Sequence, residues 1–248
     1  MNKQIEKVEG LNIQLHGIDV AIIAHYAGGN NILTFNPHFV DMPKEERPTF
    51  TLRQLFDPNY LNKPQIRTQK ISPVLSNLLP EGVLREYTAG VLKCHIDNEF
   101  AILAYLGANL PGAILATPIK AGALPSWALE YRLSTEPLQI DVKHADNKFS
   151  LAGVQVKFSS SFIKGRYHID EDTSQDMWII KTPSTIHKNV PVNEYTCMKL
   201  AESVGADIPE IRLIELHQLK NLPDIQLPNE PYAYGIKRFD RNKQVRSV

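Results

Sequence analysis

The chain has 248 residues, which is enough for one large domain or two small ones with a hydrophobic core. Its 27 Lys and Arg residues balance its 27 Asp and Glu residues, so composition provides no overall attraction to nucleic acid or to a membrane. The two distant cysteines, Cys94 and Cys197, argue against a disulfide framework, and no apolar run of about 18 residues predicts a membrane span. The N-terminus is polar and charged and shows no Sec-type signal peptide, which predicts a globular protein of the reducing cytoplasm.

The first 120 residues predict a small antiparallel sheet with helices. Short apolar runs between Gly- and Asn-rich turns predict strands at residues 11–16, 20–26, 32–35, 50–52 and 113–117. Helical spacing predicts a helical turn at residues 74–79 and helices at 83–95 and 100–106. The Asp-Asn-Glu triplet at 97–99 is a helix-start signal and Gly107 is a helix-stop signal for the last of these.

The rest of the chain predicts a connector and a second α+β unit. Residues 121–146 have mixed composition with two prolines and are predicted as the connector, which leaves residues 147–248 as the second unit. Within it we predict strands at 167–169, 178–181, 210–216 and 232–238, and one helix at 194–204 whose apolar residues belong to the core. Strands, one helix and then strands is the element order of a protein-kinase N-lobe.

A loop of small residues opens this second unit. Gly153, between Ala152 and Val154, lets the backbone approach a phosphate closely. Gln155 and Lys157 alternate with apolar residues, so the same segment is also consistent with the edge of a β-hairpin.

A lysine ends an apolar strand 28 positions after Gly153. Lys181 must either reach solvent or be paired with a group of opposite charge. Nucleotide phosphates and Glu194 could provide that charge, because in protein kinases a strand lysine contacts the phosphates and a helix glutamate pairs with the lysine. The alternatives are a surface lysine at a strand end and a carboxylate that only stabilises the first turn of a helix.

A charged run follows the last predicted strand. Lys237, Arg238, Phe239, Asp240 and Arg241 stand where a kinase has its hinge, whose backbone groups hydrogen-bond adenine. A charged exit from a strand is the alternative interpretation.

Taken together, these motifs resemble the HipA family, the serine/threonine-kinase toxins of bacterial type II toxin–antitoxin modules. The resemblance covers most of the chain, and the order and spacing of its motifs are specific. The motifs are Ser72-Pro73, residues 77–82 (NLLPEG), residues 103–107 before Gly112, residues 150–157 (SLAGVQVK), residues 180–183 (IKTP), residues 193–195 (NEY) and residues 238–241 (RFDR).

The resemblance implies a fold, partners and residue roles. It implies an α+β fold in which a HipA-like N-terminal subdomain is followed by a kinase-like nucleotide-binding lobe. The implied cofactors are ATP and Mg²⁺. The implied partner is a HipB-like helix-turn-helix antitoxin, and the protein would contact DNA only through this antitoxin. The resemblance also implies a protein substrate such as an aminoacyl-tRNA synthetase, and autophosphorylation of Ser150 that switches the kinase off. The implied nucleotide-binding residues are Ala152, Gly153, Val154, Gln155, Val156, Lys157, Lys181, Lys237, Arg238, Phe239 and Asp240, with Glu194 as the partner of Lys181.

The chain departs from the family pattern near its end. Only seven residues follow Arg241, and they contain no D-x-x-x-x-N catalytic loop, so the catalytic and metal-binding aspartates and the helical C-lobe are expected beyond Val248. Asp170, Asp172, Asp176 and Asp240 stand at the wrong place in the order to replace them. We therefore expect a catalytically incomplete part of a kinase, which is a cut piece, a natural truncation or half of a split protein. The rival hypotheses are a non-catalytic module that captures an antitoxin or a partner kinase, and an unrelated α+β enzyme.

Overall fold

The computed structural model describes residues 5–129, 137–143, 157–169, 177–223, 225–239, 241–242 and 245–246. Contacts divide the chain into two compact units. Unit 1 comprises Met1–Leu79 and Thr88–Ala145, and unit 2 comprises Pro80–Tyr87 and Asp146–Val248. No helix in the described ranges has both the length and the apolar character needed to cross a membrane.

Unit 1 contains a six-stranded antiparallel sheet with the order β4-β3-β2-β1-β5, in which β6 also pairs with β1. Its strands are β1 (Ile5–Leu15), β2 (Ile18–Tyr26), β3 (Asn30–Phe35), β4 (Gln65–Thr68), β5 (Ile114–Lys120) and β6 (Ile140–Lys143). The predicted opening meander is confirmed, because β1, β2 and β3 pair in sequence through a tight turn at Gly17 and a 3₁₀ turn at Ala27–Gly29.

The helices of unit 1 are short, and one of them carries much of the core. They are α1 (Pro37–Asp41), α2 (Arg53–Phe56), α3 (Pro73–Ser76), α4 (Gly82–Leu92), whose residues up to Tyr87 belong to unit 2, and α5 (Glu99–Leu106). As predicted, α5 has an Asn cap: the Asn98 carboxamide oxygen accepts a hydrogen bond from the Ala101 amide at 3.2 Å. Gly107 follows it where a Cβ atom would lie 2.3 Å from the carbonyl oxygen of Ala116 on β5, so only glycine permits this close approach.

Unit 2 contains a second six-stranded sheet with the order β10-β12-β9-β7-β8-β11. Its strands are β7 (Lys157–Ile163), β8 (Arg166–His168), β9 (Trp178–Lys181), β10 (Ile211–Glu215), β11 (Leu219–Lys220) and β12 (Tyr232–Lys237), with β13 (Arg241–Asn242) and β14 (Val245–Arg246) as a separate pair. The helix α6 (Val190–Ser203) packs on β10 and β12. The strand predicted at 178–181 is therefore confirmed to the residue, and the predicted helix begins four residues earlier than expected.

Three expectations differ from the structure. Residues 50–52 form no strand, because the Gln54 carboxamide accepts the Phe50 and Thr51 amides and closes a turn before α2. The strand β6 lies within the stretch predicted as connector. Leu200 and Val204 on and after α6 were expected in the core, yet they are 62% and 84% exposed.

Candidate functional site

Three side chains form a row across the middle of the unit 2 sheet. Lys157 on β7 stands directly opposite Lys181 on β9, and Lys181 stands directly opposite Tyr234 on β12. Side chains that are directly opposite in antiparallel strands share one face of the sheet. Trp178 and Ile180 alternate with this row and belong to the buried core of unit 2 on the other face.

Helix α6 supplies a carboxylate to this row. The Lys181 ammonium forms an ion pair with Glu194, and both side chains keep about a quarter of their surface exposed, at 24% and 29%. The same ammonium lies 5.4 Å from the ring centroid of Tyr234, within the range of a cation–π contact. Because α6 begins at Val190, Glu194 lies beyond the first turn, where the helix dipole has little effect. The geometry therefore favours Glu194 as the partner of Lys181 over a purely dipole-related role.

Positive charge is concentrated at the row. Burial lowers the pKa of Lys157, the nearby charge of Lys181 lowers it further, and the carboxylates of Glu194 and Glu81 oppose these effects. A bound anion would favour the charged form of both lysines, since an opposite charge within a few ångströms stabilises an ammonium. This row of side chains is thus suited to phosphate groups.

Tyr234 is a site residue that sequence reasoning missed. Its side chain is fully buried, and its hydroxyl has no hydrogen-bond partner among the described residues. Burial, with a smaller contribution from the charge of Glu194, raises the pKa of Tyr234 to about 12. The sequence does show that Tyr234 and Ile236 lie on the same face of the predicted strand, because they are two residues apart. That Tyr234 lies opposite Lys181 depends on how the two strands pair, which the sequence does not show.

The predicted hinge residues do not bring their side chains to this row. Lys237 stands opposite Trp178, on the other face of the sheet, and its ammonium lies 3.3 Å from a carboxylate oxygen of Glu210. Arg238 is buried and donates a hydrogen bond from Nη1 to the Ser159 hydroxyl at 2.8 Å.

The backbone at the hinge is also partly engaged. The amide of Lys237 donates to the Glu210 carbonyl at 2.8 Å, and the amide of Arg238 donates to the Met177 carbonyl at 2.7 Å. Phe239 follows with an exposed side chain. A ligand at this segment would therefore meet Phe239 or carbonyl groups rather than these two amides.

Several predicted residues fall outside the described ranges. These are Ser150, Ala152, Gly153, Val154, Gln155, Val156, Asp170, Asp172, Asp176 and Asp240. Of the predicted phosphate loop only Lys157 is described, and it is the residue that adjoins Lys181.

The described residues fit the phosphates of a nucleotide better than they fit a metal ion. Two neighbouring lysines and a buried hydroxyl suit an anion, whereas within the described ranges no three His, Cys, Asp or Glu side chains cluster to hold a metal.

Both units match known domain families. The model of the HipA N-terminal domain matches residues 11–117, and the model of the HipA-like C-terminal domain matches residues 149–248. A Sinorhizobium fredii protein named "Putative kinase Y4dM" is 33% identical over 96% of this chain and 57% of its own length. The serine/threonine-protein kinase toxin HipA of Shewanella oneidensis is 26% identical over 70% of this chain and 39% of its own length.

A solved structure shares the fold. A chain of the Shewanella oneidensis complex of HipA, HipB and operator DNA superposes with a TM-score of 0.55 and 19% identity, over 94% of this chain and 51% of that one. The chain thus spans about half the length of the relatives that it matches. The motifs of the sequence agree with the family models over both units, with the relative that matches nearly the whole chain and with the shared fold. The chain therefore belongs to the HipA family.

Proposed function

We propose that unit 2 binds the phosphates of ATP as part of a serine/threonine protein kinase of the HipA toxin type. The observation that carries the proposal is the row of Lys157 and Lys181 with Glu194 paired to Lys181. In protein kinases a strand lysine contacts the nucleotide phosphates while a helix glutamate holds the lysine in place. A lysine from the next strand beside this pair adds a second positive charge at the same phosphates.

The chemistry of the complete protein follows from this proposal. Lys181 orients the phosphates and Glu194 keeps its ammonium in position, while the loop of residues 152–157 covers them and residues 237–240 adjoin the adenine. The catalytic base and the Mg²⁺-binding aspartates would lie beyond Val248, and the reaction transfers the γ-phosphate of ATP to a serine or threonine hydroxyl.

Regulation and partners extend the proposal. Phosphorylation of Ser150 would add about −1.5 to −2 charges beside the phosphate loop and repel the nucleotide. The solved relative is a complex with HipB and operator DNA, which supports a HipB-like antitoxin as partner and contact with DNA only through it. We further propose a translation-related substrate such as an aminoacyl-tRNA synthetase, phosphorylated in the cytoplasm.

The test is a calorimetric titration of this chain with Mg·ATP. The unaltered chain is expected to show saturable binding, and Lys181→Ala is expected to weaken it at least about tenfold because it removes a charge-assisted phosphate contact. Lys199→Ala is the matched control, since Lys199 is an α6 lysine paired with Glu202 at 2.8 Å, away from the row. Binding that is absent in the unaltered chain, or equal in both variants, would contradict the proposal.

The apolar surface of α6 favours a second candidate function. Leu200 and Val204 are exposed, and Ile186 ahead of the helix is 67% exposed. Leu200 and Val204 are four residues apart and therefore neighbours on the helix surface, and a contiguous apolar patch of this kind marks a contact surface. Under this alternative the chain is a non-catalytic module that captures an antitoxin or a partner kinase, and Lys181→Ala would leave partner binding unchanged while Leu200→Glu would weaken it.

A further inference from the structure

The outer edge of β4 in unit 1 is open. β4 pairs with β3 on one side, from Gln65 opposite Leu33 to Thr68 opposite Asn30. On its other side no strand of the described residues pairs with it, so it ends the sheet. An edge strand of this kind presents unpaired amide and carbonyl groups that can accept another strand.

A groove runs along this edge. It has a volume of about 510 Å³ and is bounded by β4, by α2 and by the segments between them and after β4. We call it the β4 groove, and its lining includes Arg53, Asp57, Tyr60, Lys63 and the β4 residues 65–67. Gln65 is one of the lining residues, and its Nε2 atom is buried without an acceptor among the described residues. A buried donor without an acceptor is costly, so a turn of the Gln65 carboxamide towards a carbonyl or carboxylate oxygen in the groove would be favourable.

The charge of the β4 groove is positive. Arg53, Lys63 and Arg67 face a single carboxylate, Asp57, which lies 3.3 Å from Arg53. Within the described part of the chain no carboxylate pairs with Lys63 or Arg67. Lys63 and Arg67 therefore give the groove a positive charge, and electrostatic complementarity favours an acidic ligand.

Apolar surface adjoins these charges. Ile66, in the middle of β4, is 54% exposed. Leu52, Leu55 and Phe56, on or next to α2, are also exposed, and Phe56 reaches 81%. Exposed aliphatic and aromatic side chains beside an open strand are the features that let a peptide add as a strand, with main-chain bonds for affinity and side-chain contacts for specificity.

We propose that the β4 groove binds an extended acidic peptide segment of a protein partner, which adds to the sheet as a strand next to β4. Nucleic acid fits less well. Its phosphates would meet Asp57, it has no groups that continue a β-ladder, and the one aromatic ring of the lining, Tyr60, is already covered by Arg53 at 5.5 Å. The proposal concerns unit 1 alone and does not depend on nucleotide binding by unit 2.

The test uses fluorescence anisotropy with the full chain and a fluorescein-labelled peptide of about nine residues in which Glu and Val alternate. Saturable binding is expected, weakened at least about tenfold by Arg67→Glu and by added salt, because the contact is electrostatic. Lys188→Glu, an exposed charge reversal in unit 2, is the matched control and should leave binding unchanged. Arg67 is exposed, so its replacement should preserve the fold, and circular dichroism of each variant verifies this.

A second peptide tests the strand geometry. Replacing one valine and the glutamate beside it with proline, with one glutamate added at the end of the peptide to keep the charge, removes a main-chain donor on each edge of the strand, so binding should be lost whichever edge faces β4. The proposal is overturned if the glutamate–valine peptide does not bind, if Arg67→Glu binds it as well as the unaltered chain, or if the proline peptide binds equally. Tighter binding of a single-stranded thymidine oligonucleotide would assign the groove to nucleic acid instead.

Discussion

In unit 1 the buried carboxylates are satisfied by the fold itself, whereas in unit 2 like charges stand side by side and one buried hydroxyl has no hydrogen-bond partner among the described residues. The Glu99 carboxylate accepts the Ile71 amide at 3.0 Å and the Ser76 hydroxyl at 2.9 Å, and Glu9 accepts the Gly122 amide at 2.8 Å. In unit 2 two lysines stand side by side, and the buried hydroxyl of Tyr234 lacks a partner among the described residues.

The difference separates structural polar groups from groups available to a ligand. A buried carboxylate that accepts main-chain donors fixes loops to a core and has little capacity left for chemistry. Neighbouring like charges and an unsatisfied hydroxyl are costs that a bound anion can offset, and such perturbed groups concentrate at functional sites. Measurements of the stability of each unit test this difference directly.

The largest effect is expected at Glu99. Glu99→Ala leaves buried donors without their acceptor and should lower the free energy of unfolding of unit 1 by about 3 kcal/mol. Trp127 lies in unit 1 and Trp178 in unit 2, so single Trp→Phe variants let denaturant titrations follow each unit by fluorescence. Glu202→Ala is the control: Glu202 is an exposed partner of Lys199, and its loss should cost less than about 0.5 kcal/mol. Similar losses for both variants would remove the distinction drawn for unit 1.

A smaller effect of opposite sign is expected at Tyr234. Tyr234→Phe removes a buried, unsatisfied hydroxyl and should raise the free energy of unfolding of unit 2 by about 1 kcal/mol. Tyr167→Phe is the matched control, because the Tyr167 hydroxyl accepts a hydrogen bond from Arg212 at 3.1 Å and its loss should destabilise unit 2. Destabilisation by both changes would show that the Tyr234 hydroxyl has a structural role.

The raised pKa of Tyr234 predicts a loss of folding stability at alkaline pH. The pKa of Tyr234 is raised to about 12, so the unfolded chain releases this proton first as pH rises above about 10, and stability should fall from there towards pH 12. The fall should be shallower in Tyr234→Phe than in the unaltered chain when unfolding is measured across that range. Equal slopes would contradict the raised pKa.

The smallest effect is expected in acid at His25. This buried side chain stacks on Phe100 and contacts the Asn31 carboxamide at 2.7 Å, and burial lowers its pKa below the ordinary value. As pH falls below about 6.5 the unfolded chain binds the proton first, so unit 1 should lose stability until the pH reaches the lower pKa of the folded state. His25→Gln should flatten this part of the pH profile when the unfolding of unit 1 is measured across it, and an unchanged profile in the variant would contradict the lowered pKa of His25.

Local signals in the sequence were sufficient for some elements. The apolar run from Trp178 to Lys181, bounded by Thr182-Pro183, gave β9 correctly, and the Asn98 cap and Gly107 gave α5. The polar sequence of β4 (QIRT) carries no strand pattern, so this strand was missed, and with it the groove along its edge. Phe50 is buried although it lies in a turn, because the Gln54 side chain closes that turn, and apolar character alone suggested a strand.

The register between distant strands could not be predicted from the sequence. The pair of Lys181 and Glu194 could be expected from kinase-like spacing, since both stand near the ends of adjacent elements. The placement of Lys157 and Tyr234 on either side of Lys181 depends on strand register, which distant contacts decide. Leu200 and Val204 follow a helical apolar pattern, yet the described residues leave them exposed.

The position of β1 has a consequence for biosynthesis. β1 is the first described strand, and the side of it that faces away from β2 pairs with β5, whose residues are made roughly a hundred positions later. At about 5–20 residues per second on the ribosome, that side of β1 waits on the order of 5–20 s for its partner. During this interval the β1–β2–β3 meander exposes an apolar strand edge, so the nascent chain is most open to mispairing and to chaperone binding before residue 120 is made.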